Sequence, residues 1–201
     1  MSRDGDPQLD AFSVDVRGIL DRNVANLYSH LVTRPTGRAV RMAIQAQLGE
    51  LESPALSMVD LSSVSVLDYS CADEVVAKLL LARDRPRADG GLGARVFFVL
   101  LGLREHHREP LREVLLRQDL AVVVRPVPDG GDFELLGAHS NEEAKAWRRV
   151  EREGRIAAAR ARDHFDAGAL PVLDRLVRRG LLFRHPLTGD LHALSSLIAT
   201  F

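Results

Sequence analysis

The residues ARVFFVLLG, at positions 94–102, form an almost wholly apolar run bounded by glycines. A strand with one solvated face alternates apolar and polar residues, whereas a strand covered on both faces is apolar throughout. The run therefore predicts a central strand with neighbours on each side and other elements packed on both faces. It is far too short to span a membrane.

Strand and helix patterns alternate on both sides of this run, from about residue 10 to residue 127. FSVDV alternates like a half-buried strand, and ALSMVDL and AVVVRPV are typical of buried strands. Helical spacing covers AVRMAIQAQLGEL, with Thr36 as a candidate cap, then roughly Ala72 to Arg83, and then REPLREVLLRQDL. VANLYSHLV fits either a helix or a strand. The alternation predicts an α/β fold, a mixed sheet with parallel crossovers and helices packed on it.

The pattern changes after the turn-rich segment PDGGDFELLGAHSN. Three short helical patterns follow, in EEAKAWRRVERE, RIAAARARDHF and LPVLDRLVRRG, and then two strand-like runs around a Pro-Leu-Thr-Gly-Asp turn. Three helices and a terminal hairpin describe a winged helix. We therefore expect two domains, 1–132 and 139–201, and a fragment that ends near Asp132 should fold by itself.

The charge and the cysteine content limit the classes of protein to which the chain can belong. The net charge of −1 gives no global reason to expect nucleic acid, although the part from His139 onward holds 11 Lys and Arg against 8 Asp and Glu. Cys71 is the only cysteine, which rules out an intramolecular disulfide and is compatible with a reducing cytosol. The polar, acidic N-terminal residues do not resemble a signal peptide. A soluble, cytoplasmic protein without membrane contact is the expectation.

The stretch MVDLSSVSVLDYSCADEVVAKLL, residues 58–80, places Asp68, Ser70, Asp73 and Glu74 where a strand gives way to a helix. Three explanations are open: a catalytic nucleophile, a modifiable switch that binds a partner, or helix capping by Ser70 with both acids in the first turn. Ser70 lacks the G-x-S-x-G pattern of hydrolases. A phosphate on its exposed hydroxyl would add about −1.5 to −2 charges beside these acids.

Other chemistry has little support in the sequence. His106-His107 is expected to be a solvated loop pair, because no further ligand lies at a convincing metal-binding spacing. The glycine clusters match no phosphate-binding fingerprint. We therefore expect no metal, no cofactor and no enzymatic activity.

The junction stretch resembles the signature of STAS domains, the sulfate-transporter and anti-sigma-factor-antagonist family. Asp60-Leu61 with Val64 matches the family's D-L-x-x-V, and Asp68 matches the aspartate of its D-S-S-G. Tyr69 replaces the first serine and Cys71-Ala72 replaces the glycine step. CADEVV resembles more closely a STAS-like branch of unknown function, in which a similar A-D-E opens this helix. The likeness covers roughly residues 10 to 130. It implies that Ser70 stands where antagonists carry a phosphorylated serine, with a kinase or sigma-factor regulator as partner.

The C-terminal part resembles the second half of a MarR-like winged helix, with VLDRLVRRGLLFRHPLTGDLHAL as recognition helix, strand, wing and strand. This places Arg175, Arg178 and Arg179 on the outer face of the helix, and Arg184 with His185 on the wing. Double-stranded DNA is then a candidate partner, held by arginine–phosphate contacts. However, the helix begins with DAGALP, which offers no Asn, Gln, Arg or Ser to read base edges in the major groove.

The two resemblances together predict a regulatory protein. Its STAS-like domain would bind a signal or partner protein, and its winged helix would regulate transcription by binding DNA. The competing hypothesis is a partner-switching adaptor whose winged helix docks protein. Whether the chain forms a homodimer stays open at this stage.

Overall fold

The computed structural model describes residues 10–15, 30–50, 54–89, 91–93, 95–127 and 132–198. It shows an α/β fold in which helices pack on a mixed sheet, as the alternating patterns predict. The strands are β1 (Asp10–Asp15), β2 (His30–Leu31), β3 (Ala55–Asp60), β4 (Val66–Leu67), β5 (Val96–Leu103), β6 (Ala121–Pro126), β7 (Glu134–Gly137), β8 (Arg155–Ile156), β9 (Leu182–Arg184) and β10 (Leu191–Ala193). The helices are α1 (Arg34–Gly49), α2 (Tyr69–Ala72), α3 (Lys78–Arg83), α4 (Glu105–Arg117), α5 (Asn141–Glu153), α6 (Ala161–His164), α7 (Leu170–Arg178) and α8 (Leu194–Ile198).

The main sheet has five strands in the order β1–β3–β5–β6–β7. The first four are parallel, and β7 adds to β6 in the antiparallel direction. The apolar run forms the central strand β5, and its residues Val96 to Leu100 are all buried. This prediction is confirmed. The short strands β2 and β4 pair with each other in parallel.

The helical stretch after β4 is longer than predicted. It begins at Tyr69, not at Ala72, and consists of α2, a π-helical turn from Asp73 to Ala77, and α3. We call this continuous stretch, residues 69–83, the junction helix. α1 begins after Thr33, whose side chain accepts a hydrogen bond from the Thr36 N–H, so Thr33 and not Thr36 is the cap. Most of the segment VANLYSHLV lies outside the described residues.

The two faces of the main sheet bury different side chains, because successive residues of a strand point to opposite faces. Phe98 and Leu100 lie in one hydrophobic cluster with α1, the junction helix and α4. Phe97 and Val99 lie in a second cluster with the C-terminal elements. The sheet is therefore a middle layer between the two sets of helices.

The C-terminal part contains α5 to α8 and a three-stranded antiparallel sheet in the order β8–β10–β9. We call it the C-terminal unit, residues 141–198. The predicted helix in RIAAARARDHF is wrong, because the segment divides into β8, a 3-10 turn at Ala158–Arg160 and the short α6. The helix predicted in LPVLDRLVRRG is confirmed as α7, which ends at Arg178, and the terminal hairpin is confirmed as well.

The two-domain division stays a prediction, but two contacts bear on it. β7 forms within the predicted boundary segment and joins the main sheet. In addition, side chains on one face of the sheet lie in the same hydrophobic cluster as side chains of the C-terminal unit. The cluster contains Leu56, Phe97, Val99, Ala121 and Val123 from the sheet, and Trp147, Val150, Leu173, Leu176 and Phe183 from the unit. The C-terminal unit thus completes the burial of the main sheet.

Within the described residues, no helix has the length and apolar character needed to cross a membrane.

His107 is fully buried in the first turn of α4, not in a solvated loop as the sequence suggested. Its Nδ1 lies 3.4 Å from the Arg104 N–H, which donates to it. Burial is the main cause, and the neighbouring His106 and Arg104 add to it; together they lower the pKa of His107 from 6.5 to about 4. The imidazole is therefore neutral in the folded protein at neutral pH.

We predict that this histidine makes the fold sensitive to mild acid. Between about pH 6.5 and pH 4 the unfolded chain binds a proton at position 107 that the folded chain does not, so stability falls as the pH falls. The free energy of unfolding should drop by roughly 2 kcal/mol between about pH 7 and pH 5 from this residue. Urea unfolding of His107→Asn, which keeps an acceptor for the Arg104 N–H, should lose most of this dependence. The neighbouring exposed His106→Asn should retain most of it, because burial is the main cause of the lowered pKa of His107. Equal pH dependence of both variants would contradict the assignment.

Candidate functional site

The junction between β4 and the junction helix is capped by Asp68. Its backbone is extended, at φ −90° and ψ 171°, and its carboxylate accepts a hydrogen bond from the Cys71 N–H at 2.8 Å. The sequence suggested Ser70 as the cap, which is wrong because Ser70 is already the second residue of the helix. Asp68 therefore has a structural role at this position.

Ser70 is half-buried, and its hydroxyl donates to Asp68, with Oγ at 2.9 Å from Oδ1 and 3.1 Å from Oδ2. The next residue, Cys71, is fully buried, and its thiol lies 3.0 Å from the Thr33 carbonyl oxygen. Burial and the charge of Asp68 raise the pKa of Cys71 to about 11. The thiol is thus protonated at neutral pH and is a poor nucleophile.

The two acids that follow are held by cations. Both lie in the π-helical turn, one turn later than the first-turn position expected from the sequence. Asp73 accepts from Arg34 at 3.2 Å and from the Gln118 amide at 2.6 Å. Glu74 is only 6% exposed and pairs with Arg34, Arg41 and Lys78.

Burial alone would raise the pKa of Glu74, but Lys78, Arg41 and Arg34 together hold it below its ordinary value. Glu74 is therefore an ionised group inside a salt-bridge cluster and is not available for a partner at the surface. Of the four predicted junction residues, the structure brings Asp68 and Ser70 into direct contact and engages Asp73 and Glu74 with other elements.

Four exposed apolar side chains lie on the elements around the junction. Val66 is in β4, Tyr69 begins the junction helix, Val32 directly follows β2, and Leu116 is in α4. The strands β2 and β4 are paired, and α4 packs against both β4 and the start of the junction helix. We call these four residues the junction patch. Exposed apolar side chains are the kind of surface that a protein partner would bury.

The predicted arginine face of α7 is divided in the structure. Arg175 and Arg178 are exposed. Arg179 is turned inward, where it donates to both oxygens of Glu143 at 3.1 Å and to the Ala138 carbonyl at 2.6 Å. Arg184 is exposed and pairs with Asp174 at 2.7 Å.

The inward contact of Arg179 explains the ionisation of its partner. Burial would raise the pKa of Glu143, but the Ser140 N–H and Arg179 together hold it below its ordinary value. Arg179 therefore belongs to the joint between the main sheet and the C-terminal unit. His185, which the sequence places on the wing, follows β9 directly but is buried, and its Nδ1 accepts from the Thr188 N–H.

The structure reveals one residue that the sequence analysis missed. Arg83, the last residue of the junction helix, is 3% exposed. Its guanidinium donates to the Val96 carbonyl at 3.0 Å and to the Arg178 carbonyl at 2.8 Å, and it pairs with Asp84 at 2.6 Å. Nothing in the local sequence separates this arginine from its solvated neighbours, because its acceptors lie on distant elements.

Among the described residues, no cluster of histidine, cysteine, aspartate and glutamate side chains is arranged to hold a metal ion. Comparison of the chain with family models, curated proteins and solved structures gives no match.

Proposed function

We propose that the protein is a regulatory protein in which the junction at residues 68–74 receives a partner and the C-terminal unit carries the output. In this proposal the first unit is STAS-like. Two features support it: the D-L-x-x-V residues stand at the end of β3, and Asp68 caps the helix that the signature opens. The order helix, strand, helix, helix, strand, strand from α5 to β10 supports a winged helix.

The observation that carries the proposal is a direct connection between the two units. The junction helix begins at Tyr69 and Ser70, and it ends at Arg83, which donates a hydrogen bond to the end of α7. The cation of Arg83 also meets the negative end of the α7 dipole. A displacement of the junction helix therefore disturbs a contact of α7, which is the recognition helix in this proposal.

The π-helical turn gives this connection two states. A π turn holds one residue more than an α turn, is rare, and occurs often at functional sites. Here it lies between Ser70 and Arg83, at Asp73 to Ala77. Its conversion to an α-helical turn would change the register between the two ends of the helix, and a partner that favours one state would shift the other end.

A negative charge at Ser70 is the natural trigger in this proposal. The Ser70 hydroxyl is already hydrogen-bonded to the Asp68 carboxylate, so a phosphate or a second carboxylate would meet that anion at contact distance. Relief of this repulsion would release Asp68 from the Cys71 N–H, at a cost of about 1 kcal/mol for a lost cap. The first turn of the junction helix, which lies next to the junction patch, would then become less stable.

DNA is the first candidate for the output. The exposed Arg175 and Arg178 and the outward Arg184 supply phosphate contacts, whereas Arg179 is withdrawn from the set proposed from sequence. The second candidate is a docked protein. It is favoured by the exposed Leu170 at the start of α7 and by Leu187 in the turn after β9, which is 73% exposed.

The test measures the binding of duplex DNA to the full-length protein by fluorescence anisotropy, over a salt titration. We expect binding that weakens steeply with salt, because each arginine–phosphate contact releases counterions. Ser70→Asp should change the affinity by roughly two- to thirtyfold, which corresponds to a coupling energy of about 0.5–2 kcal/mol between distant sites. Ser62→Asp, which adds the same charge at an exposed position outside the junction helix, is the matched control and should bind like the wild type.

An absence of binding even at low salt would overturn the DNA output and leave the docked protein as the leading candidate. Identical affinities of Ser70→Asp and the wild type would overturn the coupling.

A further inference from the structure

We propose that the DNA-binding surface extends onto the first unit and includes a groove between the units, in which Arg95 contacts the phosphodiester backbone together with Arg178 and Arg184. This inference rests on the DNA output proposed above. It adds a residue that lies on the main sheet side of the molecule, outside the C-terminal unit. We call the cleft the interunit groove.

The interunit groove has a volume of about 570 Å³ and an aromatic floor. Phe97 of β5 and Phe183 of β9 meet edge to face there, with ring centroids 5.5 Å apart. Arg83 lies over the Phe97 ring at 5.7 Å. Because both units contribute to the floor, the groove exists only when they are packed together.

The rims of the groove carry an excess of positive charge. Arg95 stands on the side of the first unit, and Arg178 and Arg184 stand on the side of the C-terminal unit, all three exposed. The lining also contains Arg83 and a single acid, Asp84, which is already paired with Arg83. The groove therefore presents three outward guanidinium groups to an anion, and guanidinium is suited to phosphate.

The salt bridge of Arg184 does not remove it from this set. Its partner Asp174 is about half exposed, and the pair lies in solvent. Exposed pairs of this kind contribute little to stability, so Arg184 can exchange Asp174 for a phosphate at small cost.

A second, larger cleft provides a contrast. It lies between α4 and α7 and has a volume of about 1400 Å³. Its arginines stand among the acids Glu105, Glu109, Glu113, Asp119 and Glu143. Mixed charge of this kind repels a polyanion as much as it attracts one, so the interunit groove is the better match to DNA.

The consequence is that DNA affinity depends on a residue of the first unit. Each phosphate contact that is lost should lower the slope of log K against log salt by roughly one unit and weaken binding similarly for all sequences. A DNA surface confined to the C-terminal unit predicts no effect of position 95.

The experiment measures the anisotropy of a labelled duplex with the full-length wild type, Arg95→Ala, Arg178→Ala and Arg38→Ala. Arg38 is exposed on α1 and lines neither cleft, which makes it the matched control. We expect Arg95→Ala and Arg178→Ala each to weaken binding at low salt by roughly three- to tenfold and to lower the salt slope by about one unit. Arg38→Ala should match the wild type.

Two results would overturn the inference, and they are distinguishable. If Arg178→Ala weakens binding while Arg95→Ala matches Arg38→Ala, the surface ends at the C-terminal unit and the DNA output stands. If the wild type binds no duplex at low salt, the DNA output and the interunit groove fall together.

Discussion

A fragment ending at Asp132 should fail to fold cooperatively. Its sheet would expose Leu56, Phe97, Val99, Ala121 and Val123, which the C-terminal unit buries in the full-length chain. It would also lack β7, which leaves β6 as an open edge strand. Burial of a large apolar side chain contributes about 1.5–3 kcal/mol, so the loss is of the order of the whole stability of a domain, roughly 5–15 kcal/mol.

The cooperativity of the fragment would be measured by thermal unfolding, monitored by near-ultraviolet circular dichroism. Binding of a dye would report exposed apolar surface. The control is co-expression of the fragment with residues 133–201, which should restore a cooperative transition. A fragment that alone gives a sharp transition and binds no dye would show that the two predicted domains are independent, as the sequence suggested.

The second large effect is expected at Gly180, just after α7. This residue has φ +70°, and a Cβ there would lie 2.5 Å from Nε and 2.6 Å from Cζ of Arg83. Gly180→Ala therefore imposes a left-handed backbone on alanine, at about 1 kcal/mol, and displaces a buried guanidinium from its carbonyl acceptors. We expect a total loss of roughly 3–5 kcal/mol and a fall in Tm on the order of 10 °C.

Gly93→Ala is the matched control, because Gly93 also has a positive φ, +77°, but its nearest neighbour to a Cβ is the Arg87 side chain at 3.8 Å. It should show only the backbone cost. Combined with Arg83→Ala, the Gly180→Ala change should lose most of its excess cost over Gly93→Ala. Equal costs of the two glycine substitutions in the wild-type background would contradict the role given to Arg83.

Local sequence predicted the elements whose burial is regular. The strand β5 was evident because an unbroken apolar run is typical of a strand that is covered on both faces. The helix α7 was evident because the buried Leu173 and Leu176 stand at helical spacing. The strand β7 was missed, since its four residues depend on pairing with β6 for their conformation. The helix predicted in RIAAARARDHF was wrong because its alanines favour a helix locally, whereas pairing of β8 with β10 decides the outcome.

The sequence predicted where the strand gives way to the helix, but it did not predict the contacts that the junction residues make. The sequence located the junction at residues 68–74, yet Glu74 is buried in an ion cluster because Arg34 and Arg41 reach it from α1. Likewise, Arg179 shares its helix with exposed arginines but turns toward Glu143 of α5. Such pairings join residues some 30 to 40 positions apart, and no local pattern encodes them.

In the proposed function, the junction is coupled to α7 through the junction helix. This coupling can be measured by hydrogen exchange of the full-length protein, in a comparison of the wild type, Ser70→Asp and the control Ser62→Asp. We expect Ser70→Asp to speed exchange both in the first turns of the junction helix and in α7, and Ser62→Asp to leave α7 unchanged. Faster exchange in Ser70→Asp that is confined to residues near the substitution, with α7 as protected as in the wild type, would contradict it.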